Sequence, residues 1–410
     1  MRKFLEQLKN VKPRDLLAGL QFLLMLLPAL CFRRYLRAKK RAFWLICEEK
    51  CEARDNGFAL FRYIRTEHPD TEVYYAISPR CADYEKTAAL GKTIPYGSCR
   101  HWLYYLAAEA NISSQKGGKP NAAVCYLLEV YGLLKNQRFF LQHGIVLNDL
   151  EFLHYPLTKM RLFVCGAKPE YEYVKEAFGY PEGYVQYLGL CRFDTLHQAG
   201  RNPRQLLLMP SWRNWFRMNS KAGDDICAEK KDFRVSEYFL RFQSLLQNPR
   251  LLSFLEEQDL QLVFYPHRNM QTYLPLFSPG SSRVSLADSA HYDIQQLLRE
   301  SSLMITDYSS VSMDFAYMKK PVIYYQFDQE KFRKYQYAEG YFHYERDGFG
   351  PVLLEEDAVV DAVISAFRRG WEPEPQYLRR HETFFPLYDT RNCQRNYNAI
   401  REILDLEKSR

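Results

Sequence analysis

The sequence predicts an α/β protein of two doubly wound domains, preceded by an N-terminal hydrophobic helix. Short apolar runs of strand length alternate along the chain with stretches of helical apolar spacing, the pattern of parallel βαβ units. Eleven such runs are too many for one ordinary sheet, so they divide between two domains. An apolar run between two basic clusters sets residues 1–41 apart from both.

The N-terminal apolar run covers residues 16–32 and is interrupted only by Gly19, Gln21 and Pro28. As a helix it would span about 25 Å, against a hydrocarbon core of roughly 30 Å. No cleavage site of small residues follows it, which excludes an ordinary signal peptide. We expect a peripheral or shallowly inserted anchor on the cytoplasmic face of the cell membrane. A buried core helix or a dimerisation helix is the alternative.

The net charge of the chain, +7, is concentrated at this anchor. Residues 1–41 carry +9, whereas the remaining 369 residues carry −2. A nucleic-acid binder would spread its basic residues over the folded domain, so this distribution argues against that class. The basic residues instead suit anionic lipid headgroups.

The ten cysteines are dispersed, with no C-x-x-C pair and no Cys/His set of zinc spacing. This pattern predicts free and mostly buried thiols in a reducing compartment.

The first domain is predicted to cover residues 42–180, with strands at 42–47, 72–77, 110–113, 139–142 and 161–165. The second covers residues 181–410, with strands at 184–188, 205–209, 261–265, 283–286, 303–306 and 322–325, and its last helix is able to pack back on the first domain. Helical spacing marks 57–67, 101–109, 236–246 and 293–300, the last capped by Asp293. Ligands of such sheets bind beyond the carboxyl ends of the strands.

The densest polar segment, residues 306–314, follows a strand and opens a helix. Ser309 and Ser310 would hold phosphate at the helix start, and Asp314 would accept hydrogen bonds from the hydroxyls of a sugar or glycerol. Ordinary helix capping is the alternative for these residues.

His143 and Gly144 follow another strand, where an imidazole could abstract a proton from an acceptor hydroxyl. A structural histidine is the alternative. Three more strand ends carry groups suited to phosphate: Arg192; Pro210, Ser211 and Arg213; His267 and Arg268. There is no P-loop, no G-x-G-x-x-G and no D-x-D triplet, so charge neutralisation falls to Arg, His and helix termini.

In this order the motifs resemble those of the CDP-glycerol glycerophosphotransferase family, the teichoic acid primases and polymerases. Residues 293–328 carry the clearest match, with D-I-x-x-L-L, I-T-D-Y-S-S-x-x-x-D and a K-P run that ends in Asp. The other matches are residues 142–144, 189–194, 210–213, 266–267 and 55–57. Tyr265 stands where the family has an Arg, and we expect Arg268 to supply that charge. The resemblance covers about residues 42–400.

The resemblance implies a GT-B-like fold, with two Rossmann-like domains facing a central cleft. It implies transfer of glycerol phosphate from CDP-glycerol to a hydroxyl of a membrane-linked acceptor, with release of CMP, in teichoic acid or related cell-surface polymer synthesis. No metal or cofactor is expected. The resemblance also implies that His143 is the catalytic base and that His267 is a second catalytic group. Donor binding falls to Gly144, Ile145, Val146, Leu147, Arg192, Pro210, Ser211, Arg213, Arg268, Ser309, Ser310 and Asp314.

Three alternatives remain open from the sequence. A CDP-ribitol ribitolphosphotransferase would share the same framework. A GT-B glycosyltransferase that uses a nucleotide sugar would share the same fold. A non-catalytic membrane scaffold would also share the fold, although the intact polar motifs argue against it.

Overall fold

The computed structural model describes residues 12–134, 136–197, 200, 202–216 and 233–409. Across these residues the chain forms two parallel sheets, each covered by helices. Each sheet forms the centre of one compact unit. The first unit holds the chain through His143, Glu151–Asp194 and the residues from Asp389 onward; the second holds Gly144–Leu150 and Thr195–Tyr388. The prediction of two α/β domains is confirmed.

The first unit contains a seven-stranded sheet in the order β3-β2-β1-β4-β5-β6-β7. Its strands are β1 Trp44–Ile46, β2 Val73–Ile77, β3 Thr93–Pro95, β4 Ala110–Ser113, β5 Arg138–Phe140, β6 Leu162–Cys165 and β7 Val185–Tyr187. Its helices are α1 Pro13–Ala38, α2 Asn56–Glu67, α3 Tyr84–Ala89, α4 Cys99–Ala107, α5 Ala122–Val130, α6 Tyr155–Thr158, α7 Lys168–Ala177, α8 Phe193–Leu196 (which continues into the second unit) and, from the chain end, α17 Asn392–Lys408. The strand order reverses between β1 and β4, which makes this the place where a doubly wound sheet binds ligands.

The second unit contains a six-stranded sheet in the order β10-β9-β8-β11-β12-β13. Its strands are β8 Gln205–Leu208, β9 Gln261–Phe264, β10 Val284–Leu286, β11 Leu303–Thr306, β12 Val322–Tyr325 and β13 Val352–Leu353. Its helices are α9 Glu237–Leu246, α10 Pro249–Glu257, α11 Ile294–Glu300, α12 Ser312–Tyr317, α13 Gln329–Tyr335, α14 Tyr344–Asp347, α15 Glu356–Arg368 and α16 Pro375–Phe384. The corresponding reversal lies between β8 and β11.

All eleven predicted strands form, and two short edge strands, β3 and β13, are added. The predicted boundary at residue 180 differs from the division between the two units. The strand at 184–188 belongs to the first sheet, because β7 pairs with β6. The last helix, α17, packs against α2 of the first unit. Asp194 fixes its start by accepting hydrogen bonds from the backbone N–H groups of Asn392 and Cys393, both at 2.8 Å.

The N-terminal apolar segment forms the 26-residue helix α1, which is long and apolar enough to cross a membrane. Within the first unit, one face of this helix packs on α4. Phe22 lies there with its ring centroid 5.5 Å from that of Trp102. The opposite face is a row of exposed leucines, including Leu23 at 63% and Leu27 at 70% exposure. The basic residues Arg2, Lys3 and Lys9 of the predicted anchor lie outside the described residues.

The expectation of free thiols is wrong for one pair, because Cys51 and Cys81 form a disulfide. They lie 30 residues apart, in the loops that follow β1 and β2. Their spacing in the sequence does not indicate that they pair. Seven further cysteines in the described part of the chain are free, and five of them are buried. Cys227 lies outside the described residues.

Candidate functional site

In the first unit, the loops after β1, β4 and β5 bring three polar side chains together where the strand order reverses. Asp55 follows β1 and caps helix α2, accepting a hydrogen bond from the backbone N–H of Asn56 at 2.8 Å. Gln115 follows β4, and His143 follows β5. Parallel strands end at the same edge of the sheet, which explains why residues so distant in sequence meet.

His143 and Asp55 form a close pair. The Nδ1 atom of His143 lies 2.5 Å from Oδ2 of Asp55, and the amide of Gln115 lies 2.7 Å from the same nitrogen. A carboxylate oxygen only accepts, so Asp55 fixes the neutral ring in the tautomer that carries its proton on Nδ1, and the amide of Gln115 then presents its oxygen rather than its nitrogen to that N–H. The Nε2 atom then holds a lone pair, on a side chain that is 66% exposed. This arrangement can accept a proton from a hydroxyl group.

Arg192 completes this cluster from the loop after β7. Its Nη1 donates to Oδ1 of Asp55 at 2.9 Å and to the backbone carbonyl of His143 at 2.8 Å. Its side chain is only 7% exposed, so its charge is largely used inside the first unit. In this position Arg192 neutralises Asp55 and holds the backbone at His143.

The backbone that presents His143 is itself tightly held. Gln142 has φ +66°, in the left-handed region that is costly for a residue with a side chain. Its amide donates to the carbonyl of Val164 and to Oε1 of Glu170, both at 2.9 Å. Asn56 joins two of the loops, because its amide donates to the carbonyl of Gln142 at 2.7 Å and accepts from the N–H of Arg192 at 2.9 Å.

The charges of this cluster shift the pKa values in opposite directions. Burial raises the pKa of the Asp55 carboxyl, but His143 and Arg192 outweigh burial and the net pKa is lowered. Partial desolvation lowers the pKa of the His143 ring, but the Asp55 carboxylate more than offsets it and the net pKa is raised. Burial and the neighbouring Asp55 raise the pKa of Glu48, which lies in the same loop as Asp55, to about 8.

In the second unit, the corresponding strand ends are joined by a buried ion network. Asp307 follows β11 and accepts hydrogen bonds from the backbone N–H of Ser211 at 2.8 Å and from its hydroxyl at 2.7 Å. Its other oxygen lies 2.8 Å from Nη1 of Arg213. Arg213 also donates through Nε and Nη2 to both oxygens of Asp328, at 2.8 and 3.0 Å. The Arg213 side chain has no exposed surface, and its charge is neutralised within the protein.

His267 follows β9 and is half-buried. Its Nδ1 accepts a hydrogen bond from the backbone N–H of Asn269 at 3.2 Å, which places the proton of the neutral ring on Nε2. His267 is therefore arranged as a donor, whereas His143 is arranged as an acceptor. Arg268 beside it is exposed, and the backbone N–H of His267 donates to the carbonyl of Pro210 at 3.1 Å.

The serine segment after β11 is compact. The hydroxyl of Ser309 accepts from the backbone N–H of Val311 at 3.3 Å, and Asp314 is 2% exposed. A Cβ on Gly144 would lie 3.0 Å from the hydroxyl of Ser310, so the glycine allows this close approach. The side chains of Ile145, Val146 and Leu147 are buried, at 1–3% exposure.

The sequence reasoning missed Asp55, Gln115, Asp307 and Asp328 as members of these clusters. Asp307 and Asp328 stand inside the matched motifs, and Asp55 opens the Asp-Asn-Gly segment, so position at a strand end was the available signal. Within the described residues, no three His, Cys, Asp or Glu side chains come together as a metal-binding group.

Comparison with known proteins assigns the family. The profile of the CDP-Glycerol:Poly(glycerophosphate) glycerophosphotransferase family matches residues 29–402. The chain belongs to this family. The description of this family names a glycerophosphotransferase, not a glycosyltransferase that uses a nucleotide sugar.

Three curated relatives show the range of this similarity. The minor teichoic acid biosynthesis protein GgaB of Bacillus subtilis (strain 168) is 33% identical over 373 residues, 89% of this chain and 40% of that protein. The teichoic acid poly(glycerol phosphate) polymerase of the same strain is 24% identical over 84% of this chain and 46% of its own length. The teichoic acid ribitol-phosphate polymerase TarK of Staphylococcus aureus (strain NCTC 8325 / PS 47) is 28% identical over 28% of this chain and 22% of its own length. The chain spans less than half the length of each.

Among solved structures, the wall teichoic acid polymerase TagF with the change H548A has a TM-score of 0.65 at 15% identity, covering 99% of this chain and 98% of that one. A TagF H444N crystal soaked with CDPG has a TM-score of 0.66 at 14% identity, with 98% of both chains covered. At these identities the likeness shows the fold.

Proposed function

We propose that the protein transfers glycerol phosphate from CDP-glycerol to a hydroxyl of a membrane-linked acceptor and releases CMP. The acceptor oxygen attacks the β-phosphorus in line, and the bond from this phosphorus to the oxygen that bridges it to the α-phosphorus breaks. The electron pair leaves with CMP, and the acceptor proton passes to Nε2 of His143. The observation that carries the proposal is the exposed His143 ring, held by Asp55 in the tautomer of a base, in a member of this family.

Donor binding is proposed for the second unit. The Nε2–H of His267 is arranged to donate to a phosphate oxygen, and the guanidinium of the exposed Arg268 lies beside it. Ser309 and Ser310 lie beside Asp307 at the reversal of the strand order, where such sheets bind ligands. Arg192, Ser211 and Arg213 support this role indirectly, since their polar groups hold the loops that carry the candidate residues.

Membrane association is proposed to occur through the exposed leucines of α1. The helix is packed along α4 on one side, so we expect it to lie in the plane of the membrane rather than to cross it. Arg33, Arg34 and Arg37 near its C-terminal end would meet anionic headgroups. The cytoplasmic face is proposed because CDP-alditols are nucleotide donors and the acceptor is lipid-linked.

The test is to incubate the purified protein with a lipid-linked acceptor and CDP-glycerol, and to measure CMP release. We expect release that depends on the acceptor, falls roughly 10²–10⁴-fold in His143→Ala and is unchanged by EDTA, because no metal is proposed. His143→Ala that releases CMP at nearly the wild-type rate with acceptor present would refute the role of His143 as base. Loss of activity with EDTA would refute metal independence.

CDP-ribitol is the second candidate donor, favoured by the similarity to a ribitol-phosphate polymerase. Parallel reactions with CDP-ribitol and CDP-glycerol, at equal concentration and with the same acceptor, decide between them. Faster CMP release from CDP-ribitol would transfer the proposal to ribitol phosphate and leave the roles of the residues unchanged.

A further inference from the structure

We infer that Asp55 is a positioning residue of the transfer reaction, which sets the tautomer and the basicity of His143. This inference rests on the proposed function, because it assigns a group that acts through the proposed base. Asp55 touches Nδ1 of His143 and so cannot itself contact an acceptor at Nε2. Its contribution is to choose which nitrogen holds the proton.

The position of Asp55 is fixed on several sides. Oδ1 accepts from the first backbone N–H of α2 at 2.8 Å and from Nη1 of Arg192 at 2.9 Å, and this leaves Oδ2 aimed at His143. The side chain is 11% exposed, so it is held in one orientation within the protein. A carboxylate this well held keeps the imidazole in the same orientation throughout the reaction.

The neighbours of Asp55 help to keep it ionised. Arg192 offsets the cost of burying the Asp55 carboxylate. The negative charge of Asp55 in turn disfavours ionisation of the nearby Glu48. Because burial and Asp55 keep Glu48 protonated near neutral pH, the negative charge of this pair resides on Asp55. Glu52 also acts on the ring, and its charge favours the protonated form.

The carboxylate at Nδ1 makes the Nε2 atom of His143 a stronger base toward the acceptor hydroxyl. The imidazolium that forms at His143 is stabilised by the carboxylate at Nδ1 and needs no movement of the ring. Without the carboxylate, the ring could carry its proton on Nε2 and could not accept another one there. Asp55 therefore affects the rate of transfer more than the binding of either substrate.

The test uses Asp55→Asn, because asparagine keeps the cap of α2 while removing the charge. We expect kcat to fall by roughly 10²-fold or more, up to the full 10²–10⁴-fold contribution of a general base. We expect KM for CDP-glycerol to change little. The matched control is Asp83→Asn, which alters a buried aspartate that binds the N–H of Ala53 in the same loop at 3.0 Å and does not contact His143. Its kcat should stay within about twofold of wild type.

Two measurements separate positioning from a structural role. In a double-mutant cycle, Asp55→Asn should cost nothing further when His143 is already Ala, because both changes remove the same function. An additional loss in the double variant would overturn the inference. The ring titration of His143, followed by NMR, should move to lower pH in Asp55→Asn, since partial desolvation and the charge of Arg192 then lower the pKa of the ring without the opposing carboxylate. An unchanged titration would also overturn it.

These outcomes differ from a failure of the proposed function. If His143→Ala keeps its turnover, His143 is not the base, whereas the titration of His143 in Asp55→Asn still reports the coupling between the two residues. If CDP-glycerol and CDP-ribitol are both inactive, the titration and thermal unfolding of Asp55→Asn remain measurable on the purified protein.

Discussion

Replacing Arg213 by Met should destabilise the second unit rather than merely weaken donor binding. The guanidinium has no exposed surface and pairs with two buried aspartates. After its removal Asp307 keeps the donors of Ser211 and the N–H of Tyr308, but Asp328 keeps only the hydroxyl of Tyr308 at 3.2 Å among the hydrogen bonds found in the described residues. Removing one partner of a buried ion pair costs about 3–5 kcal/mol, because a buried charge is left uncompensated.

The loss should appear as a lower Tm for the transition of the second unit. For a domain of this size, about 4 kcal/mol corresponds to roughly 8–16 °C. Differential scanning calorimetry measures the shift, and a urea titration at 25 °C checks it at fixed temperature. The matched control is Arg283→Met, which breaks ion pairs with Glu256 and Asp259 at the surface of the same unit and should have a much smaller effect.

The opposite result would restore Arg213 to the donor-binding set. If Arg213→Met unfolds within about 2 °C of wild type, the network does not contribute as its burial indicates. If CDP at the same time no longer raises the Tm of the variant, Arg213 binds the ligand directly. A variant that is less stable but is still stabilised by CDP supports the structural role.

Three further predictions address the base, the membrane helix and the buried acid. His143→Ala should lose roughly 10²–10⁴-fold in turnover at an unchanged Tm, because its side chain is 66% exposed; a large loss of Tm would contradict this. The double variant Leu23→Gln/Leu27→Gln should bind anionic vesicles less well in co-sedimentation and keep its stability. Phe22→Ala, on the face that packs against α4, should instead lower the unfolding free energy in urea by about 3 kcal/mol. The reverse pattern would mean that the other face of α1 contacts the membrane. Burial raises the pKa of Glu48 from 4.5 to about 8. Between these values the folded protein holds a proton that the unfolded chain releases. The unfolding free energy should therefore fall as pH rises from about 4.5 to about 8. His143, whose pKa is also raised, contributes in the same direction, so Glu48→Gln should reduce this fall without abolishing it, and an equal fall in the variant would count against the shift.

The strands were predictable because their signal is local. A buried parallel strand needs a short apolar run, and all eleven runs became strands. β3 and β13 were missed because both are short edge strands with partly exposed residues. The assignment of β7 to the first sheet could not be read from its own residues, because it depends on pairing with β6.

The positions of the candidate residues were predictable from the motifs, but their side-chain pairings were not. His143, His267 and the serines were predicted to follow strands, and the structure confirms that placement. Arg213 looked like a phosphate ligand in sequence, and only the approach of Asp307 and Asp328 revealed where its charge is used. Asp55 was visible as part of a motif, yet its pairing with a residue 88 positions away depends on the order of the strands.

The sequence by itself determined the two α/β domains, the family motifs and the concentration of positive charge beside an apolar helix, because composition and local periodicity carry that information. The tertiary structure decided which face of α1 stays exposed, which arginines form buried ion pairs and which carboxylate binds His143. Those outcomes depend on which loops meet at the carboxyl edge of a sheet, and the meeting is set by long-range strand order rather than by any local pattern.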